Sequence, residues 1–140
     1  MSNMNNIQIS KNFQLIEFED NRTGEVRLDK RLLKVMQTIR TSINKPIRIT
    51  SGYRTKNTHM QIYKEKYGNA WKDKIAWGSK HLSGQAVDFY IVNGTSDDYE
   101  KAIKIAIDSN IIKGIGNGLS NGGFLHMDCR NSDKIIRWSY

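Results

Sequence analysis

Apolar side chains recur at helical spacing between Asp29 and Asn44, where Leu32, Met36, Ile39 and Ile43 fall on one face. The spacing predicts a helix with Asp29 as its N-cap, stopped by Lys45-Pro46. The period then changes. Ile47-Arg48-Ile49-Thr50 alternates and is β-rich, which predicts a strand running into Ser51-Gly52-Tyr53-Arg54-Thr55. Residues 56–67 read as a helix with Met60 and Tyr63 inward, and 68–78 as a basic connection carrying Trp71 and Trp77. Ala86–Val92 reads as an apolar strand. Ser96 is expected to cap a helix to about Asn110, with Tyr99, Ile103, Ala106 and Ile107 on one face. Gly114, Gly116 and Gly118 suggest tight turns before a strand at Phe124–Cys129, and Ile135–Tyr140 a last strand. Upstream, residues 10–18 suggest a helical turn with Phe13 and Phe18 tucked under the domain, and Asn21-Arg22-Thr23-Gly24 a turn. The predicted class is α+β, a small antiparallel sheet flanked by helices.

Composition sets the scale. A chain of 140 residues, 38% hydrophobic and 26% charged, is long enough for one domain with a buried core. We expect a flexible tail over residues 1–9 and a single domain over 10–140. No apolar run approaches the ~20 residues of a membrane helix. The polar start Met1-Ser2-Asn3-Met4-Asn5-Asn6 lacks the basic-then-apolar pattern of a secretory signal, so a cytoplasmic origin is expected. A net charge of +8 draws the chain to polyanions, anionic wall polymers among them. No helix-turn-helix, zinc-finger or aromatic RNA-binding motif accompanies that charge, and no nucleic-acid partner is expected. A monomer is expected. The single cysteine, Cys129, excludes an internal disulfide and a multi-thiolate metal site. On a strand it faces away from His126, as a small core residue rather than a catalytic thiol.

Two short segments carry the candidate chemistry. The first is Ser79-Lys80-His81-Leu82-Ser83-Gly84-Gln85-Ala86-Val87-Asp88, the second Phe124-Leu125-His126-Met127-Asp128. His81, Asp88 and His126 form a set that fills three corners of a zinc tetrahedron and leaves one open, as catalytic zinc sites do. Asp88 shares its strand face with Ala86 and Tyr90, and His126 shares its face with Phe124 and Asp128. Gly84 permits the turn that folds His81 over the strand.

These segments resemble the zinc peptidases of bacterial cell-wall peptides, the D-alanyl-D-alanine carboxypeptidases and L-alanyl-D-glutamate endopeptidases, among which phage endolysins are common. The resemblance lies in Ser79, His81, Gly84, Ala86 and Asp88, and in Ser51-Gly52-Tyr53-Arg54. It extends through Gly114-Ile115-Gly116, Phe124-Leu125-His126-Met127-Asp128 and Arg137-Trp138, and includes the Phe13–Phe18 segment. It implies zinc held by His81, Asp88 and His126, with the peptide part of peptidoglycan as substrate. It implies metal-assisted amide hydrolysis, the zinc lowering the pKa of water from ~15.7 toward ~7. Arg54 would bind a substrate carboxylate or a developing oxyanion. The enzyme would act on the wall after release or as part of a virion. Several branches of the family place an acid three residues before the last ligand as general base, and here that position is Gly123. Asp128 is then either the base or the residue that orients a ligand histidine. Two alternatives stay open: Trp77 as cleft wall or core, and the whole domain as a zinc-holding but catalytically silent wall-binding module.

Overall fold

A computed structural model describes residues 4–140. Helix α1 (Lys30–Ile43) starts where the Asp29 carboxylate accepts the Arg31 amide hydrogen. It ends where Asn44 turns left-handed at φ 57° and donates to the Arg40 carbonyl. Strand β1 (Ile47–Ser51) follows, then α2 (Lys56–Tyr67), a single turn α3 (Trp71–Lys74) and β2 (Ala86–Ile91). Helix α4 (Ser96–Asp108), β3 (Gly114–Gly118), β4 (Phe124–Asp128) and β5 (Ile136–Ser139) complete the order. The cap of α4 is Thr95 rather than Ser96. Thr95 and Asp98 bond each other's backbone reciprocally, which a Ser at the next position cannot do.

The five strands form one sheet in the order β1-β2-β4-β3-β5. The α+β class is as expected, but the sheet is mixed. The first three pairings are antiparallel, and β5 runs parallel to β3. Gly114, Gly116 and Gly118 lie within β3 rather than in turns before a strand. Their lack of side chains is used sideways across the sheet. A Cβ on Gly114 would collide with the Asp128 carboxylate, and one on Gly116 would meet the Trp138 indole at 2.7 Å.

One sheet face builds the core. Val87, Phe89, Ile115, Leu125 and Met127 are buried there with Leu32, Val35, Met36 and Ile39 of α1 and Ala102 and Ala106 of α4. Ile107, expected on that inner face, is exposed, and Ala102 is buried instead. Phe13 and Phe18 are buried and touch each other, with ring centroids 5.6 Å apart. In α2 the buried residues are Thr58 and His59, not Met60 and Tyr63, because Thr58 is drawn inward to bond the buried Asp20 carboxylate. Residues expected in a loose tail are fastened. Ile9 donates to the Phe13 carbonyl, Leu15 to that of Ile7, and the Asn5 amide to Glu19 and Gly24. The first three residues of that expected tail lie outside the described ones.

Candidate metal centre

The sheet face opposite the core carries the site, and strand register sets it out. Ser51 of β1 pairs with Asp88 of β2, Asp88 with His126 of β4, His126 with Gly116 of β3, and Gly116 with Trp138 of β5. Directly paired residues share a face, so these five positions form one row across the sheet. The neighbouring row holds Ala86, Asp128 and Gly114. The small residues in both rows leave room for the large polar ones beside them.

His81 reaches this face from outside the sheet. It lies in a 3₁₀ turn (Lys80–Ser83) capped by the Ser79 hydroxyl and closed by Gly84 at φ +71°. Its Nε2 lies 3.3 Å from Asp88 Oδ1, and His126 Nδ1 lies 2.9 Å from that same oxygen. The three ligand atoms fall within 4.8 Å of one another. Ligands ~2.0–2.1 Å from a tetrahedral zinc stand about 3.3 Å apart, so the spacing suits the metal.

The backs of both rings are occupied by acceptors. His81 Nδ1 is 2.7 Å from the Gly52 carbonyl, and His126 Nε2 is 2.7 Å from Asp128 Oδ2. Each of those nitrogens therefore carries the hydrogen and donates it, leaving Nε2 of His81 and Nδ1 of His126 as lone pairs facing Asp88. Two neutral imidazoles with fixed tautomers and one carboxylate are a donor set that fits zinc. Burial would raise the pKa of Asp88, but the His126 and His81 rings beside it outweigh that and hold the carboxyl well below its usual range. Burial disfavours charge on His126, yet the flanking Asp128 and Asp88 carboxylates raise its pKa. The site attracts positive charge.

Asp128 is fully buried and saturated. Oδ1 accepts from the Arg130 amide at 3.2 Å and from Arg130 Nε at 2.8 Å. Oδ2 accepts from His126 Nε2 at 2.7 Å and from Arg130 Nη2 at 2.8 Å. Burial pushes its pKa up, and Arg130 and His126 pull it further down, so it is ionised. Four donors occupy the lone pairs of its two oxygens. At Gly123 a Cβ would meet open space. Among the described residues, the acids lining the cleft are Asp88 and Asp128.

Arg54 follows β1 and joins the site. Its Nη2 is 3.9 Å from Asp88 Oδ2, its Nε donates to Ser51 Oγ at 3.1 Å, and its backbone N–H donates to the His81 carbonyl. An open cleft of about 630 Å³ lies over these groups, also lined by Tyr63, Lys66, Lys80, Phe124, Trp138 and Tyr140. Trp138, in the sequence only a part of the Arg137-Trp138 resemblance, also lines the site. Its ring lies 5.2 Å from that of His126, and the Arg130 guanidinium stacks 5.2 Å over it. The signal for it was the glycine at 116, which leaves its place free. Sequence reasoning missed His59: it is buried between the Ala76 carbonyl and Arg54. Trp77 is half exposed with its ring against His59, while Ala76 and Gly78 on either side of it line the cleft. Cys129 faces away and is buried. Burial and the nearby Asp29 push its thiol up to about 12, which excludes a thiolate nucleophile near neutrality.

Residues 6–135 match the family described as peptidoglycan L,D-endopeptidase MepK. The match spans most of the chain, and the chain belongs to that family, which is of the M15 zinc-peptidase type. Membership supports a peptidoglycan peptidase. No curated protein matches the chain.

Proposed function

We propose that this member of the M15-type family is a zinc-dependent hydrolase that cleaves an amide bond in the peptide part of peptidoglycan, serving as a phage endolysin or another lytic wall enzyme. The observation that carries the reading is the convergence of His81 Nε2, Asp88 Oδ1 and His126 Nδ1, each ring turned by an acceptor behind it. The family's description supports endopeptidase over carboxypeptidase cleavage. The excess of basic residues supports attraction to anionic wall polymers.

His81, Asp88 and His126 would hold the zinc, which when bound supplies Lewis acidity toward a carbonyl and lowers the pKa of a water. The Gly52 carbonyl and Asp128 fix the two imidazoles in the tautomers that metal binding requires. Arg54 presents a planar cation beside Asp88, suited to a peptide carboxylate or to the oxygen that gains charge during attack. Of the two roles open to Asp128, its four bonded donors favour orienting His126 over accepting a proton. Trp138 and Phe124 supply an apolar wall that limits water at the reacting bond.

A second reading is favoured by one observation. With Asp128 saturated and Gly123 bare, no cleft-lining carboxylate among the described residues, other than the proposed ligand Asp88, is free to act as base. A zinc-holding wall-binding module with little hydrolysis fits that arrangement. Mass spectrometry of purified peptidoglycan treated with the protein separates the two. Hydrolysis releases new amino termini and no reducing sugar ends, stops with chelator and returns with zinc. Chelator-resistant release sinks the metal mechanism, and zinc and wall binding with no cleavage of several wall types establishes the silent module.

A further inference from the structure

The chain has three histidines, and His59 is the one outside the metal set. It is wholly buried in α2, with its ring edge-on to Tyr63 at 4.8 Å and near Trp77 at 5.8 Å. Its two nitrogens have neighbours of opposite demand. Nε2 lies 2.8 Å from the Ala76 carbonyl, which can only accept, so Nε2 carries the hydrogen. Nδ1 faces Arg54 Nη1 at 3.5 Å, a group that can only donate, so Nδ1 is a lone pair. Both neighbours require the same neutral tautomer. Burial, with the charge of Arg54 beside it, lowers the pKa of the ring and keeps it neutral.

Around the Arg54 guanidinium, Ser51 Oγ meets Nε, His59 meets Nη1 and Asp88 approaches Nη2. Two of these partners are neutral. A second carboxylate in place of His59 would hold the guanidinium equally well but would cancel its charge. A neutral acceptor fixes the direction and leaves the charge for the substrate. We infer that His59 is the positioning residue for Arg54, a neutral imidazole anchored on the Ala76 carbonyl whose Nδ1 lone pair orients the guanidinium toward the substrate's anionic group. The role rests on Arg54 acting on substrate, as proposed above.

Two substitutions separate the ring's halves. In His59→Asn the carboxamide oxygen takes the place of Nδ1 and keeps the acceptor for Arg54. In His59→Gln the longer carboxamide keeps a donor for Ala76 and loses that acceptor. Both lose the ring's packing, so a merely structural role predicts similar losses. On soluble muropeptides, His59→Gln should lose on the order of 10- to 100-fold in kcat/KM, the scale of a misplaced catalytic group, and His59→Asn should recover most of it. Zinc content should be unchanged in both. In an Arg54→Ala background, His59→Gln should cost little more, since the two act through one group. Equal losses in both variants that track thermal unfolding, or losses fully additive with Arg54→Ala, overturn the inference. Nitrogen-15 NMR tests it without turnover: His59 should show the Nε2–H tautomer, and the ordered Arg54 guanidinium signals should vanish in His59→Gln and persist in His59→Asn. An Nδ1–H tautomer or unaltered Arg54 signals in His59→Gln overturns it as well. Wild-type protein that cleaves no muropeptide removes the hydrolase reading, and these spectra then decide the inference alone.

Discussion

Two imidazoles approach the same oxygen of Asp88, and each is held there by an acceptor on its far side, a carbonyl for His81 and a carboxylate for His126. The difference between those acceptors has consequences. Removing the charge of Asp128 changes the basicity and fixation of His126 while leaving all three proposed ligands in place. Asp128→Asn should therefore weaken zinc affinity about 10- to 100-fold, with activity largely restored by excess zinc. Zinc titration with a competing chelator, run alongside the rate assay, checks both halves. A variant of normal zinc affinity whose rate stays down by ~10²-fold or more would instead make Asp128 the base. His126→Ala should lose most of the bound metal, and full retention would remove His126 from the ligand set. Arg54→Ala should keep zinc and lose on the order of 10²-fold in rate, the usual scale for one oxyanion donor. The His81, Asp88 and His126 cluster was legible in the sequence because metal sites need particular side chains at turn and strand spacings. His59 was not legible: its α2 pattern is that of any buried helix residue, and its partners lie 5 and 17 positions away, at Arg54 and Ala76.

At the scale of elements, the glycines of β3 show what a one-dimensional pattern hides. A Gly-x-Gly-x-Gly run suggests turns, because glycine weakens a strand and frees the backbone. Here the benefit lies in the neighbouring strands, where Asp128 and Trp138 occupy the space above Gly114 and Gly116. Neither glycine has positive φ, so the backbone itself would accept alanine. The direction of β5 was hidden for the same reason. Its pairing with β3 depends on where the chain returns after Asp128, and Ile136–Ser139 alternates alike in either direction. By contrast α1 was legible to within a residue, since its cap, apolar face and stop are all local. Gly114→Ala tests the sideways account. The new methyl group meets a carboxylate clamped by Arg130 and His126, which has nowhere to swing. The expected outcome is a folded protein with zinc affinity reduced as in Asp128→Asn, though no ligand or ligand partner has changed. Unaltered zinc affinity in Gly114→Ala would mean that Asp128 is free to shift and does not fix His126.

At the scale of the whole molecule, the site depends on a buried carboxylate outside it. Asp20 is 1% exposed and ties the segment before α1 to the start of α2. Oδ1 accepts from the amides of Arg22 and Thr23 and from the Thr58 hydroxyl, and Oδ2 accepts from the amide of Thr55, the cap of α2. Arg54 immediately precedes that cap, so Asp20 fixes the backbone from which Arg54 extends. Burial alone would raise the pKa of Asp20, but these hydrogen bonds outweigh it and the net shift is downward. A folded-state pKa below the unfolded value of ~3.9 means stability that is fully present above ~3.9 and is lost as pH falls through the folded value. In Asp20→Asn the amide nitrogen would face a backbone N–H, and the charge that strengthens the remaining bonds is gone. The variant should lose about 1.5–3 kcal/mol near neutral pH, the range for hydrogen bonds to a charged group. The gap to wild type should narrow below about pH 4, where the wild-type carboxyl itself takes up a proton. Thermal unfolding of both proteins across pH 2–7 measures this, and the difference between the two curves removes the contribution of every other acid. A gap that stays constant with pH would mean that Asp20 contributes by shape alone. With zinc bound, the same variant should also show a slower rate at normal zinc content, because the anchor it loosens is that of Arg54 and not of the ligands.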